Sequence, residues 1–517
     1  MRAALAILLM VPAAACTRPV PAPAVQSRTP PARVSLASAD ALVRAGCLDC
    51  LMSAFAAYEA LLSDPTVAAD ARRGAIAAGI LVAVRERELG IEETDTLAKA
   101  RALADESLDL PADLRLAFDV FSTLPVRYSA TNRIVAGEAQ LAAARRVAAN
   151  RDAWTDELRA DAAISPGDAY LWLAFSCVYG DARAANVTAL AEAASAWRDT
   201  PLVRYRIATC RELQLPELQR LVADDPRFHE IRYSLALKAI LEGRLDDADA
   251  DLTSAYEFRA RWPAVTFAIA DVALTGEDFA RAADFFERTL ALVPDDPEAA
   301  VGRARSLTYL ARFEEAIAAA SGVLALERGY TGEALYWRAM AESELGRQDE
   351  AWEDVQQAER LITNADVPKL AGIVESRRGE RVIARQKLEL AHDRNRFDCQ
   401  TMFYFGSVVA EQRDWQRSVE VFSEDADCFV TSERGLDEAI RRIDESNASP
   451  ERKARLIARR RQQRASAAQD LVTCWFNLAA ANFNLRRYAE ARDNAGKVGE
   501  DPRYASRVRE LLGLIPN

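Results

Sequence analysis

Glu242-Gly243-Arg244-Leu245-Asp246-Asp247-Ala248 and Leu345-Gly346-Arg347-Gln348-Asp349-Glu350-Ala351 are two copies of one turn, 103 residues apart. Each runs through a Gly into acidic residues and ends on Ala. That closing small residue recurs as Ala248, Ala282, Ala316, Ala351, Ala384, Ser418 and Ala491, at intervals of 34, 34, 35, 33, 34 and 73. Twelve residues before each stands a second small residue: Ala236, Ala270, Ala304, Ala339, Gly372, Gly406 and Ala479. A period near 34 with two small residues twelve apart predicts a helix–turn–helix unit that stacks on copies of itself. Small side chains let one helix lie close against its partner and against the next pair.

The pattern resembles the tetratricopeptide repeat. The resemblance implies an all-α, right-handed superhelical solenoid of antiparallel helix pairs, and a binding surface rather than a catalyst. The repeat reads clearly over residues 229–429 and again over 472–517. The interval of 73 is one repeat plus 39 residues, which places an insertion at 430–471. Inside it, Ser449-Pro450-Glu451 is a helix start, with a capping Ser and Pro at the first helical position. That helix is expected to continue unbroken into Trp475–Leu485.

Upstream, over 35–228, the period decays. Ala174 and Ala208 are 34 apart, Ala208 and Ala236 only 28, and Thr200-Pro201 and Asp225-Pro226 read as corners. Turns at Gly46 and Gly90 divide two further helical pairs.

Residues 1–16 belong to no repeat. Arg2, the apolar run from Ala3 to Val11, and Ala13-Ala14-Ala15-Cys16 read as a secretory signal peptide. The last four residues resemble a bacterial lipobox, which implies that Cys16 is lipidated and becomes the mature N-terminus. Thr17 in place of Asp implies the outer membrane, facing the periplasm. Residues 17–34 hold five prolines and form a tether, reaching about 50 Å if extended.

A net charge of −12 argues against a general nucleic-acid binder. Only two histidines, His229 and His392, occur in 517 residues. With no Gly-rich phosphate loop, G-x-S-x-G or H-E-x-x-H, no enzyme, cofactor or metal is expected. In an oxidising compartment the remaining cysteines read as disulfides. In repeat register Cys399 opens a first helix and Cys428 closes its partner, so these two are a candidate bridge. Cys177 with Cys210 is a second candidate. Cys47-Leu48-Asp49-Cys50 straddles a helix start, and without a βαβ context it reads as a local structural bridge. Cys474 is expected as a buried free thiol.

In tetratricopeptide arrays the first helix of each pair lines a concave groove. Fifteen residues before each recurring small residue stand Tyr233, Phe267, Val301, Tyr336, Lys369, Phe403 and Phe476. The five rings, with Arg305, Tyr309 and Arg377 as neighbours, are the candidate groove for a protein or peptide partner, or else packing within the repeat. The insertion carries Arg452, Lys453, Arg455, Arg459, Arg460, Arg461 and Arg464, either a solvated helix or a contact for an anionic surface. The expected function is a lipid-anchored envelope scaffold. The alternative is the substrate-binding lipoprotein of an outer-membrane uptake system.

Overall fold

The computed structural model describes residues 34–91, 95–106, 112–121, 138–160, 164–179, 185–194, 199–210, 214–326 and 329–516. The signal peptide, Cys16 and the tether up to residue 33 lie outside the described residues. Among the described residues all regular structure is helical, and no helix is long and apolar enough to cross a membrane.

Ten helices precede the regular repeat. They are α1 (Leu36–Ala45), α2 (Leu48–Leu61), α3 (Ala68–Leu89), α4 (Thr96–Asp105) and α5 (Ala112–Phe121), then α6 (Glu138–Arg159), α7 (Pro166–Tyr179), α8 (Ala185–Ala193), α9 (Pro201–Cys210) and α10 (Leu215–Asp224). Five helix pairs follow: α11 (His229–Leu241) with α12 (Leu245–Phe258), α13 (Pro263–Thr275) with α14 (Phe279–Leu292), and α15 (Pro297–Tyr309) with α16 (Phe313–Ala325). The fourth and fifth are α17 (Thr331–Glu344) with α18 (Gln348–Leu361), and α19 (Asp366–Arg378) with α20 (Arg381–Arg394). The sixth pair departs from the pattern. Its first helix, α21 (Cys399–Glu411), is ordinary, but α22 runs from Trp415 to Glu445 and α23 from Pro450 to Asn484. The chain closes with α24 (Tyr488–Val498) and α25 (Ala505–Leu514).

The small residues do what their size predicts. Ala248, Ala282, Ala316, Ala351, Ala384, Ser418 and Ala491 are all 0% exposed. Their partners twelve residues earlier are equally buried, and at two of them even a methyl group is too large. A Cβ on Gly372 would lie 2.5 Å from Leu388, and one on Gly406 would lie 2.9 Å from the Phe422 ring. Close approach of first and second helices, not flexibility, selects glycine at these positions.

The turn inside each pair repeats as strictly. A residue in the left-handed region stands five places before each small residue: Gly243, Glu277, Ala311, Gly346, Gly379, Arg413 and Arg486, with φ between 56° and 86°. Side chains then open several of the second helices. Asp278 accepts from the Arg281 amide, and Asp414 from the Arg417 amide. Ser449 caps α23 by accepting from the Arg452 amide, with Pro450 in the first turn.

The helices before residue 229 are continuous with the array. One apolar cluster runs from Ala39 through Tyr170 and Ala208 to Ala248, Trp262 and Val272. The Trp262 indole donates to the Leu89 carbonyl at 2.7 Å. A buried polar knot adds to this joint: Arg85, 0% exposed, donates to Glu230 at 2.6 Å, and the Leu48 amide donates to the same carboxylate oxygen at 2.9 Å.

Candidate functional site: the inner face and its strap

First helices of successive pairs stand side by side, so residues at i, i+4 and i+7 on each of them share one face. On α17 these are Tyr336, Met340 and Ser343. On α19 they are Asp366, Lys369, Leu370, Ile373 and Arg377, and on α21 Gln400 and Tyr404. Together with Tyr309 at the end of α15 and Phe313 they line a cavity of about 320 Å³.

Its charges are already ordered. Lys369 Nζ donates to Asp398 Oδ2 at 2.8 Å. Burial would raise the Asp398 carboxyl, but that hydrogen bond and charge outweigh it and hold the group below the usual range. Arg377 donates to the Ser343 carbonyl at 2.9 Å and to Glu344 at 3.1 Å. The rings are held edge to face: Trp337 lies 5.1 Å from Tyr336 and 5.6 Å from Tyr309. Arg305 sits over both Tyr309 and Trp337. Burial pushes the Tyr336 phenol well above its usual range, so it stays a neutral donor. The result is a cleft lined by apolar side chains and by polar ones held in fixed pairs, suited to side chains of an extended or helical segment.

Tyr309, Tyr336 and Arg377 of the sequence-derived groove line this cleft, with Arg305 against it. The other four rings do not. Tyr233 packs on Trp262 (5.2 Å), Phe267 on Phe286 (5.6 Å) and Phe403 on Phe422 (6.4 Å). Phe476 is 6% exposed and stacks on Tyr504. At these four places the position fifteen before the small residue packs on the partner helix or the next pair, whereas at Tyr336 and Lys369 the same position lines the cleft. Met340, Asp366, Ile373, Gln400 and Tyr404 escaped the sequence reading because one repeat position samples only part of a helix face.

Four of the seven residues of the basic run are neither solvated nor free for an anionic surface. The tip of the α22–α23 hairpin reaches back to the turns of the first two pairs. Arg460 grips Glu277 through two bonds, at 2.6 and 3.1 Å, and Arg459 pairs with the same carboxylate at 2.9 Å. Arg455 pairs with Asp278 at 3.1 Å, and Arg452 with Asp246 at 3.4 Å. Ser449 donates its amide and its hydroxyl to Asp246, at 3.0 and 3.1 Å. Arg459 also lies 4.5 Å over the Phe279 ring and 5.5 Å over that of Tyr309. Lys453 and Arg464 serve the hairpin itself, bonding the Asp444 carbonyl and Asp437, and Arg461 is exposed.

Disulfides join Cys399 to Cys428 and Cys47 to Cys50. Cys47 is 0% and Cys50 2% exposed, so the C-x-x-C bridge is sealed from thiol exchange. Cys177 is disulfide-bonded, while the Cys210 side chain lies outside the described residues. Cys474 is free and buried. The histidines pack on rings: His229 stacks on Phe258 at 3.9 Å, and His392 lies 6.3 Å from Phe405. Among the described residues no cluster of His, Cys, Asp and Glu could hold a metal.

No protein-family model matches this chain, and no curated protein matches it. Among solved structures it is similar to PilW, described as a widely conserved type IV pilus biogenesis factor. The two are 15% identical over 38% of this chain and 91% of that one, with a TM-score of 0.35. A tetratricopeptide repeat protein from Parabacteroides merdae is 14% identical over 56% of this chain and 99% of its own, with a TM-score of 0.36. Yeast Tom70 is 11% identical over 81% and 88%, with a TM-score of 0.30. These are loose likenesses, and the tetratricopeptide-like architecture stands on this chain's own period and packing.

Proposed function

We propose that this protein is an interaction scaffold whose inner face holds a segment of a protein partner. The observation that carries the reading is the cleft built by four consecutive first helices, where Tyr309, Tyr336 and Tyr404 stand among fixed charges. Rings of this kind are common binding anchors because they bury large area with few rotors to freeze.

The same proposal places the scaffold in a bacterial envelope. Its support is in the sequence: an apolar leader ending in Ala13-Ala14-Ala15-Cys16, then a proline-rich stretch. Lipidation of Cys16 would hold the array near the outer membrane on the periplasmic side, within reach of the tether. Replacing Cys16 with Ser is then expected to move the protein from the membrane fraction to the soluble periplasm.

A photocrosslinking amino acid at Gln400, in the cleft, tests the binding reading against one at Gln357, exposed on α18. The expected result is a discrete crosslinked partner from Gln400 alone, lost when Tyr336 and Tyr404 become Ala. Equal products from both positions, or a product indifferent to the tyrosines, would remove the inner face from the binding role.

A further inference from the structure

We propose that the α22–α23 hairpin is an ionic clasp that opens and closes the array, holding its sixth pair to its first and second. The base of the hairpin belongs to the sixth pair, tied to α21 by the Cys399–Cys428 bridge. Its tip lands on Asp246 of the first pair and on Gly276, Glu277 and Asp278 of the second, some 180 to 200 residues away in the chain. Pairs three to five lie between base and tip.

The two ends of the hairpin differ in kind. At the base, Phe422, Phe429, Leu471 and Leu478 form an apolar cluster. At the tip the landing is almost wholly polar: four arginines and one serine on three carboxylates and a carbonyl. Arg459 adds an apolar element by stacking on Phe279 and Tyr309. Three of the four arginines, Arg455, Arg459 and Arg460, are partly exposed and only Arg452 is buried. The contact is therefore screened by salt and releases without exposing an apolar core, whereas the base holds. Length permits the span. At about 1.5 Å per residue, the 31 residues of α22 reach about 46 Å.

Glu277 is the centre of the clasp. It adopts φ 58°, where Gly serves in three other repeats, and its carboxylate takes two guanidiniums at once. Tyr309 belongs both to the clasp, under Arg459, and to the inner-face cleft. Release of the tip therefore changes one wall of that cleft. The clasp itself does not depend on whether the cleft binds a partner.

The test is a distance measurement between nitroxides carried by unnatural amino acids, which leaves the disulfides intact. Leu241, 81% exposed at the end of α11, and the exposed Asn447 at the hairpin tip take the labels in the full chain. A single short distance is expected at low salt. A broad, longer distribution is expected at 1 M NaCl and in Glu277→Arg. Adding Arg459→Glu and Arg460→Glu to Glu277→Arg is expected to restore the short distance. A short distance that persists in high salt and in Glu277→Arg would overturn the clasp, as would failure of the charge-swapped protein to re-close. Should Glu277→Arg lose helical signal, Arg460→Glu alone, on the hairpin side, gives the same reading.

Discussion

Asp425 on α22 is 0% exposed, and its Oδ2 accepts from the Cys474 thiol of α23 at 3.0 Å. Burial, reinforced by Asp470 and Asp398 nearby, pushes its carboxyl up to about 8, so the folded protein holds it neutral at pH 7. A carboxyl raised in the folded state contributes its full stability below about pH 4 and loses it as pH climbs toward 8. At pH 7 the cost is on the order of 4 kcal/mol. Asp425→Asn is therefore expected to melt higher than the parent at pH 8 and to flatten the fall in Tm between pH 5 and 8. Parallel Tm-against-pH curves, read by circular dichroism, would show that the site does not titrate there. The Arg85–Glu230 pair makes the opposite case. Arg85 is sealed between Tyr170 and Tyr205, 3.8 Å from the second ring centroid, and Glu230 is its buried counter-charge. Glu230→Ala leaves that guanidinium without its carboxylate and is expected to cost about 3–5 kcal/mol in urea unfolding. A loss below about 1 kcal/mol would mean that Glu88, 3.9 Å from Arg85, suffices.

At the scale of the element, the intra-pair turn separates backbone strain from packing. Gly346 has φ 82° and open space where a Cβ would go, so Gly346→Ala carries only the cost of a left-handed L-residue. About 1 kcal/mol of destabilisation is expected. Ala311 occupies the same place in its repeat at φ 56°, and Ala311→Gly is expected to stabilise by about 0.5 kcal/mol. Same-sign changes from both substitutions would show that the turn is not what limits them. The sequence reading met this turn at Gly243 and Gly346 but passed over Gly379, and over Glu277, Ala311, Arg413 and Arg486, where ordinary residues adopt the same φ. The buried small residues were legible because close helix approach restricts size at a fixed interval. The unbroken α23 was legible because Ser449 and Pro450 mark a start and no breaker follows until Asn484. The ring ladder stayed open between a groove and packing within the repeat, because apolar character alone does not distinguish a surface facing a ligand from one facing the next helix.

Across the whole molecule, an open solenoid has only neighbour contacts, and its unfolding can spread from either end. The clasp adds one connection that bypasses the fourth and fifth pairs and meets the third at Tyr309. No local pattern in the sequence encodes it, because curvature summed over several repeats decides which turn the tip meets. Its energetic signature is coupling at a distance. Arg459→Ala with Arg460→Ala removes charge only from α23, yet it is expected to lower amide protection at the turn carrying Gly276 to Asp278, over 180 residues away. Protection within α17–α20, which supplies no carboxylate or carbonyl to the arginines of α23, is expected to stay unchanged. The same substitutions are expected to broaden the urea transition as the first two pairs uncouple from the sixth. Wild-type protein in 1 M NaCl, where the screening length is about 3 Å, is expected to behave like the double variant, and the variant itself is expected to respond little to salt. Unchanged protection at residues 276–278 would confine the clasp to a surface ornament of the tip. Loss of protection through α17–α20 as well would mean that the strap braces the whole array and cannot release without unfolding it.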